Sequence, residues 1–193
     1  MQDIDRRRVR RALFFTAALL LATFVAGCSV DVKDNRQGEA KKVDIESPMG
    51  SIHVNTGVDI ADTGLSAYPG ARVVKKDSHE NESANVRLEA PGGQGMQIVV
   101  LHYESDDAPD KIVGFYRDQL KKYGAVNECK GDIDYHGPDS HRTSECRPNN
   151  SGEISLAAQS GEDNQRIVNI RPKAKGSEFA VVYLRLHPEK GTI

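Results

Sequence analysis

The sequence predicts an α+β fold in which a mostly antiparallel sheet is covered by one main amphipathic helix. Segments that alternate apolar and polar residues, as strands do, occur both before and after a single helical segment. Turns that contain Gly and Pro separate these segments at short intervals, which favours hairpin connections. The chain has 193 residues, so it fits one ordinary domain with additional segments.

The folded body is predicted over residues 42–193, and it begins with a β-hairpin. Residues 42–46 and 51–54 alternate apolar and polar side chains, and Pro48 and Gly50 suit the turn between them. Further strands are predicted over 72–76, 84–90 and 96–103. In the second of these, one face carries the apolar residues Ala84, Val86, Leu88 and Ala90.

The helix is the most strongly marked element. Asp107 is predicted to cap it, Pro109 suits its first turn, and Gly124 ends it. An apolar stripe at helical spacing is predicted to pack against the sheet; it consists of Ile112, Phe115, Tyr116, Leu120 and Tyr123. Extended segments follow at 125–129, 153–158, 165–171 and 178–186. The last of them is apolar on both faces, which predicts a central strand.

The first 28 residues have the order of features of an export signal. Five arginines between Arg6 and Arg11 precede the uncharged segment 12–27, and Cys28 follows Val25, Ala26 and Gly27. This segment resembles the lipobox signal of bacterial lipoproteins. The uncharged segment is short for a bilayer-spanning helix, which needs about 20 residues.

The resemblance implies that residues 1–27 are a cleaved signal peptide and that Cys28 is lipidated. Two or three acyl chains on Cys28 would then anchor the chain to a membrane of the cell envelope. The sorting rule of that family makes Ser29 favour the outer membrane. Residues 28–41 are predicted to be the lipidated cysteine and a flexible tether, because they are polar and lack a sustained apolar period.

The remaining cysteines, Cys129 and Cys146, form an even pair, which predicts a disulfide in an oxidising compartment. A Cys₂His₂ zinc site with His136 and His141 is an alternative, although the short C-x₂₋₄-C spacing of structural zinc sites is missing. Free thiols are a third alternative. We therefore predict a disulfide, no metal site and no cofactor.

Charge and motifs limit the function classes. The formal net charge of the chain is −2; the first 27 residues contribute five Arg and two Asp, so the processed chain carries −5. Such a chain is not expected to bind nucleic acid. The sequence contains neither a G-x-S-x-G nor an H-E-x-x-H motif, and its histidines, His53 among them, are scattered, so no catalytic residue is assigned.

Two functional hypotheses remain after these exclusions. One is a non-enzymatic envelope lipoprotein that binds an envelope protein or supports envelope structure, and the other is an envelope hydrolase whose site lacks a recognisable motif. The body also resembles an uncharacterised domain of bacterial exported proteins, through Tyr68–Ala71, Phe115–Tyr116 and Leu120–Gly124. No activity can be transferred from that resemblance.

Overall fold

Among the described residues, the fold is an open, mostly antiparallel sheet with one α-helix. The computed structural model describes residues 28–34, 41–76, 80–81, 83–92, 94–135, 144–161 and 163–186. An 11-stranded sheet runs through these residues in the order β1-β2-β3-β7-β8-β13-β12-β11-β9-β10, and β4 pairs with β8 beside this path. The predicted α+β class and the antiparallel sheet with one covering helix are confirmed.

The strands have these bounds: β1 Ser29–Asp34, β2 Lys41–Ser47, β3 Gly50–Asn55, β4 Arg72–Val73, β5 Lys75–Lys76, β6 Glu80–Asn81, β7 Ala84–Glu89, β8 Gly95–Ser105, β9 Val126–Tyr135, β10 Ser144–Pro148, β11 Ile154–Ser160, β12 Asn164–Pro172 and β13 Ser177–Leu186. Strands β5 and β6 form a separate two-stranded sheet. The α-helix, α1, spans Pro109–Leu120, and a 3₁₀ turn at Lys121–Tyr123 continues it to Gly124.

The hydrophobic core lies between α1 and one face of the sheet. Ile112, Val113, Tyr116 and Leu120 of the helix are buried, and α1 packs on β11 and β12. The sheet contributes alternate residues of four neighbouring strands, which are Val99, Leu101, Tyr103, Phe179, Val181, Tyr183, Val168, Ile170, Leu156 and Ala158. The predicted apolar stripe of the helix therefore faces the sheet, and β13 is the central strand that its two apolar faces predicted.

A segment around residues 60–68 covers the core beside the helix. Ile60, Leu65 and Tyr68 are buried in the core cluster. The Tyr123 hydroxyl donates to the Gly64 carbonyl at 2.5 Å, which attaches this segment to the end of the helical region. The helix and the 60–68 segment thus share the same side of the sheet.

The predicted cap of the helix is wrong. Residue Ala108 occupies the N-cap position, and no side chain caps the helix there. Asp107 lies one residue earlier, where its carboxylate accepts hydrogen bonds from Lys111 Nζ at 2.6 Å and from the Tyr68 hydroxyl at 2.9 Å. These two hydrogen bonds hold the pKa of Asp107 below its usual value.

The structure also differs from the prediction of a tether over residues 28–41. Residues Ser29–Asp34 form β1, which pairs with β2 along its whole length, from Ser29 opposite Glu46 to Asp34 opposite Lys41. Two valines, Val30 and Val32, alternate with polar residues there, and this pattern is too short to recognise without the partner strand. Residues 1–27 and 35–40 lie outside the described residues.

Candidate functional site

Cys129 and Cys146 form the predicted disulfide. It joins β9 to β10 with a Cα–Cα distance of 5.4 Å. Cys129 lies opposite Ser155 of β11, on the face of the sheet away from the helix. On that face the Ser155 hydroxyl donates to the Gly131 carbonyl at 2.6 Å, which attaches the start of the β9–β10 hairpin to β11. The disulfide takes both thiols, so the alternative zinc site loses its sulfur ligands; His136 and His141 lie outside the described residues.

Cys28, the predicted lipidation site, is an exposed free cysteine. It directly precedes the edge strand β1, so a group attached to its sulfur would leave the molecule at one end of the sheet. Neither of the disulfide cysteines is near this position in the strand order, because β9 and β10 form the opposite end.

The half of the sheet next to Cys28 extends beyond the helix. We call it the wing; it consists of β1, β2, β3, β7 and residues 95–98 of β8. Its register places polar residues on the helix side and apolar residues on the other side. The polar face and the apolar face of the wing are the two candidate functional surfaces.

On the polar face, a cross-strand row of charged and polar residues runs through β2, β3, β7 and β8. Asp44 lies opposite His53, His53 opposite Arg87, and Arg87 opposite Gln97. Arg87 is only 3% exposed. Its guanidinium donates to Gln97 Oε1 at 3.5 Å and lies 3.9 Å from Glu89 Oε1.

His53 connects an acid to a hydroxyl within this face. Its Nδ1 lies 2.8 Å from Asp44 Oδ1, and its Nε2 lies 3.1 Å from the Oγ of Ser51. Ser51 is two residues before His53 in β3, so both side chains point to the same face. The Asp44 carboxylate favours the tautomer with hydrogen on Nδ1, which leaves Nε2 to accept from the Ser51 hydroxyl.

This order of groups is that of a Ser-His-Asp relay, in which the imidazole takes the proton of an attacking hydroxyl. A relay also needs donors that receive the developing oxyanion, and backbone N–H groups usually supply them. Ser51 lies in a strand that is paired on both sides, with Glu46 and with Glu89. The backbone around Ser51 is therefore hydrogen-bonded within the sheet. In hydrolases a serine nucleophile instead lies on a sharp turn.

Two pockets lie on the wing: one borders its polar face, and the other lies at its turns and is lined by residues of both faces. The smaller, about 100 Å³, lies beside the relay and includes Lys42, His53, Asn55 and Arg87 in its lining. The larger, about 360 Å³, lies between the β2–β3 turn and the β7–β8 turn, with Met49, Ile52 and Leu88 among its lining residues. Ser51 borders the larger pocket and His53 the smaller, so neither pocket contains the whole relay.

The apolar face of the wing carries two cross-strand rows that continue onto β13. One row is Val32, Val43, Val54, Val86, Ile98 and Leu184; the other is Val30, Ile45, Ile52, Leu88, Met96 and Leu186. Val30 and Val32 are 63% and 61% exposed, and Ile52 is also exposed. The described helix and the 60–68 segment pack on the other side of the sheet, so neither covers these rows.

The sequence prediction missed the relay because it took His53 as a single residue. The signal was present in the hairpin: Ser47 pairs with Gly50 across the two-residue turn, and counting back from that pair puts Asp44 opposite His53. Ser51 then follows from the alternation of side chains along a strand. The alternation in the sequence predicts that the wing has one polar and one apolar face. It does not predict on which of the two sides of the sheet the helix packs.

In the part of the chain that the structure describes, no group of three or more His, Cys, Asp or Glu side chains is arranged to hold a metal ion. The helices found there are also too short or too polar for a membrane span. Comparison with models of protein families, with curated proteins and with solved structures gives no match. The site must therefore be interpreted from its own geometry.

Proposed function

We propose that this chain is a lipoprotein of the bacterial cell envelope whose α+β body is a non-enzymatic binding module. Residues 1–27 act as the signal peptide, and Cys28 carries the lipid that holds the body at the membrane. The order of arginines, apolar segment, small residues and cysteine supports this proposal. The exposure of Cys28 in front of an edge strand agrees with an attached anchor.

The proposed location is the periplasmic or external face of the envelope, with the outer membrane favoured by Ser29. The disulfide between Cys129 and Cys146 supports an oxidising compartment. The charge of −5 on the processed chain gives no electrostatic attraction to anionic lipid headgroups, so attachment depends on the acyl chains.

The apolar face of the wing is the observation that carries the binding role. Contiguous apolar surface rimmed by polar residues marks interaction sites on soluble proteins. Its rows begin on β1, the strand that follows Cys28, so the anchor and the binding surface lie at the same end of the sheet. The proposed partner is a protein of the envelope, not a nucleic acid.

We expect Cys28→Ser to abolish incorporation of an alkyne-tagged fatty acid, because the thiol is the atom that accepts the lipid. The measurement is fluorescence of the tagged protein after growth of the producing bacterium with the fatty acid. Intact mass should show the wild-type chain beginning at Cys28 with added acyl mass.

A variant with both Cys129→Ser and Cys146→Ser is the matched control, and it should keep the label, since neither thiol is next to the signal peptide. Label that persists in Cys28→Ser, or a wild-type chain that still carries residues 1–27, would contradict the anchor.

The relay of Ser51, His53 and Asp44 supports a second candidate, an envelope hydrolase. Its distances of 3.1 Å and 2.8 Å allow the imidazole to take a proton from Ser51 while Asp44 stabilises the imidazolium. The regular strand that holds Ser51 argues against a hydrolase. Its backbone N–H groups pair with the neighbouring strands, so they do not form an oxyanion hole beside Ser51.

A fluorophosphonate probe, which reacts with activated serines, distinguishes the two candidates. We expect no labelling of the wild-type chain, in agreement with a binding module. Labelling that disappears in Ser51→Ala and in His53→Ala, but persists in Ser47→Ala, would instead establish a nucleophilic serine. Ser47 is the suitable control because it is a serine of the same hairpin outside the relay.

A further inference from the structure

We propose that a second copy of this chain covers the apolar face of the wing, so that two wings pack face to face about a two-fold axis. The inference rests on the proposed binding role and names the partner of that surface. The result is a two-layer sandwich in which each copy contributes one layer, with its helix and its polar face on the outside.

The chemistry of the face suits an identical partner. Its two rows contain only Val, Ile, Leu and Met, and Ala84, Val100 and Val182 lie beside them on the same face. Identical copies bring identical charges together in a two-fold interface. Because neither row contains a charged residue, the rows of two copies can pack against each other without repulsion between like charges.

The size of the face also fits a stable dimer. The rows cross six neighbouring strands, from β1 to β13. At about 4.8 Å between strands and about 6.8 Å between successive side chains on one face, the twelve row residues with Ala84, Val100 and Val182 cover roughly 500 Å² of sheet. A standard stable interface buries about 800 Å² on each partner, of which about 56–65% is apolar, so the apolar face of the wing has the area that such an interface needs.

Packing two such faces needs no rearrangement of the backbone. Sheets pack face to face at about 10 Å, with the side chains of the two inner faces interdigitating. The partly exposed aliphatic side chains of β3, β7 and β8 can fill that space from both copies. Lys41, at the start of β2, and His102, beyond the rows in β8, lie at the rim of the face.

A bilayer is a poorer occupant of this face. Proteins that lie on membranes border the inserted surface with Trp or Tyr and with clustered Lys or Arg. This chain has no Trp, and its processed form carries a net charge of −5. The rows themselves contain no aromatic residue.

Cross-linking in intact envelopes tests the dimer with the full chain. Val86→Cys places a thiol on the apolar face in β7, near the middle of the rows, and bismaleimides of several lengths should join two copies into a product of twice the mass. Asn85→Cys is the matched control, because Asn85 is the next residue of the same strand and lies on the polar face. It should give no such product. The native Cys129 and Cys146 do not react with maleimide while they are joined to each other.

Ile52→Glu, added to Val86→Cys, provides a second measurement. Ile52 is exposed in the single chain, so its replacement should leave the melting temperature of a separated copy nearly unchanged. A buried carboxylate at the interface should reduce the cross-linked product at least tenfold. Absence of the product from Val86→Cys, a product of another mass, or equal products from Asn85→Cys and Val86→Cys would overturn the proposal. Fatty-acid labelling of Cys28 is scored on the same samples, so loss of the anchor can be told from failure of the dimer.

Discussion

Phe179→Ala is expected to lower the free energy of unfolding by about 3–5 kcal/mol, because it removes a large buried ring and leaves a cavity. Phe179 is 1% exposed and lies in the central strand β13. Its ring centroid lies 5.4 Å from that of Tyr103 and 5.6 Å from that of Tyr116, so the strand and helix layers both lose contacts. Urea unfolding followed by circular dichroism would measure the change.

Met49→Ala is the control for that experiment. Met49 lies in the β2–β3 turn and is 82% exposed, so its truncation should change the unfolding free energy by less than about 0.5 kcal/mol. Equal effects of Phe179→Ala and Met49→Ala would show that the core does not lie between α1 and β13.

Removal of the disulfide is expected to cost about 3 kcal/mol, because an open chain gains conformational freedom when it unfolds. The two cysteines are 17 residues apart, and the bond closes the β9–β10 hairpin. A chain with Cys129→Ala and Cys146→Ala should therefore unfold at a lower urea concentration than the wild type. Cys146 is exposed, so its replacement adds no cavity, and alanine in place of the buried Cys129 leaves only a small one.

Reduction of the wild-type chain gives an independent comparison. Under a strong reductant its urea midpoint should fall to nearly that of the alanine variant, while the variant should not respond. A midpoint that is the same with and without reductant would mean that the bond is absent or does not restrain the unfolded chain.

Much of the fold could be predicted because local patterns and tertiary packing agree. The alternation in β7 and β8 defines these strands, and the stripe from Ile112 to Leu120 identifies the buried side of the helix. The apolar residues on both faces of β13 placed it in the middle of the sheet. The pairing of Cys129 with Cys146 followed from cysteine number and compartment.

The rest depended on information that no single segment contains. The alternation of Ala84, Val86 and Leu88 defines an apolar face, but it does not say whether the helix covers that face. In the structure α1 packs on β11 and β12, and its Tyr116 contacts Phe179 of β13, whereas the helix side of β7 is polar and includes buried Arg87. Likewise, β1 forms because it can pair with the open edge of β2. The six residues of β1 alone are too few to predict a strand.

The contrast between the two halves of the sheet has a consequence for cooperativity. Leu156, Val168, Ile170 and Val181 are fully buried beneath the helix, whereas the outer strands of the wing are held mainly by their backbone ladder. Local opening free energies rise with buried apolar contact. In a separated copy of the chain, the amide protons of β1 and β2 should therefore exchange with solvent through fraying of the outer strands, whereas those of β12 and β13 should exchange only on global unfolding.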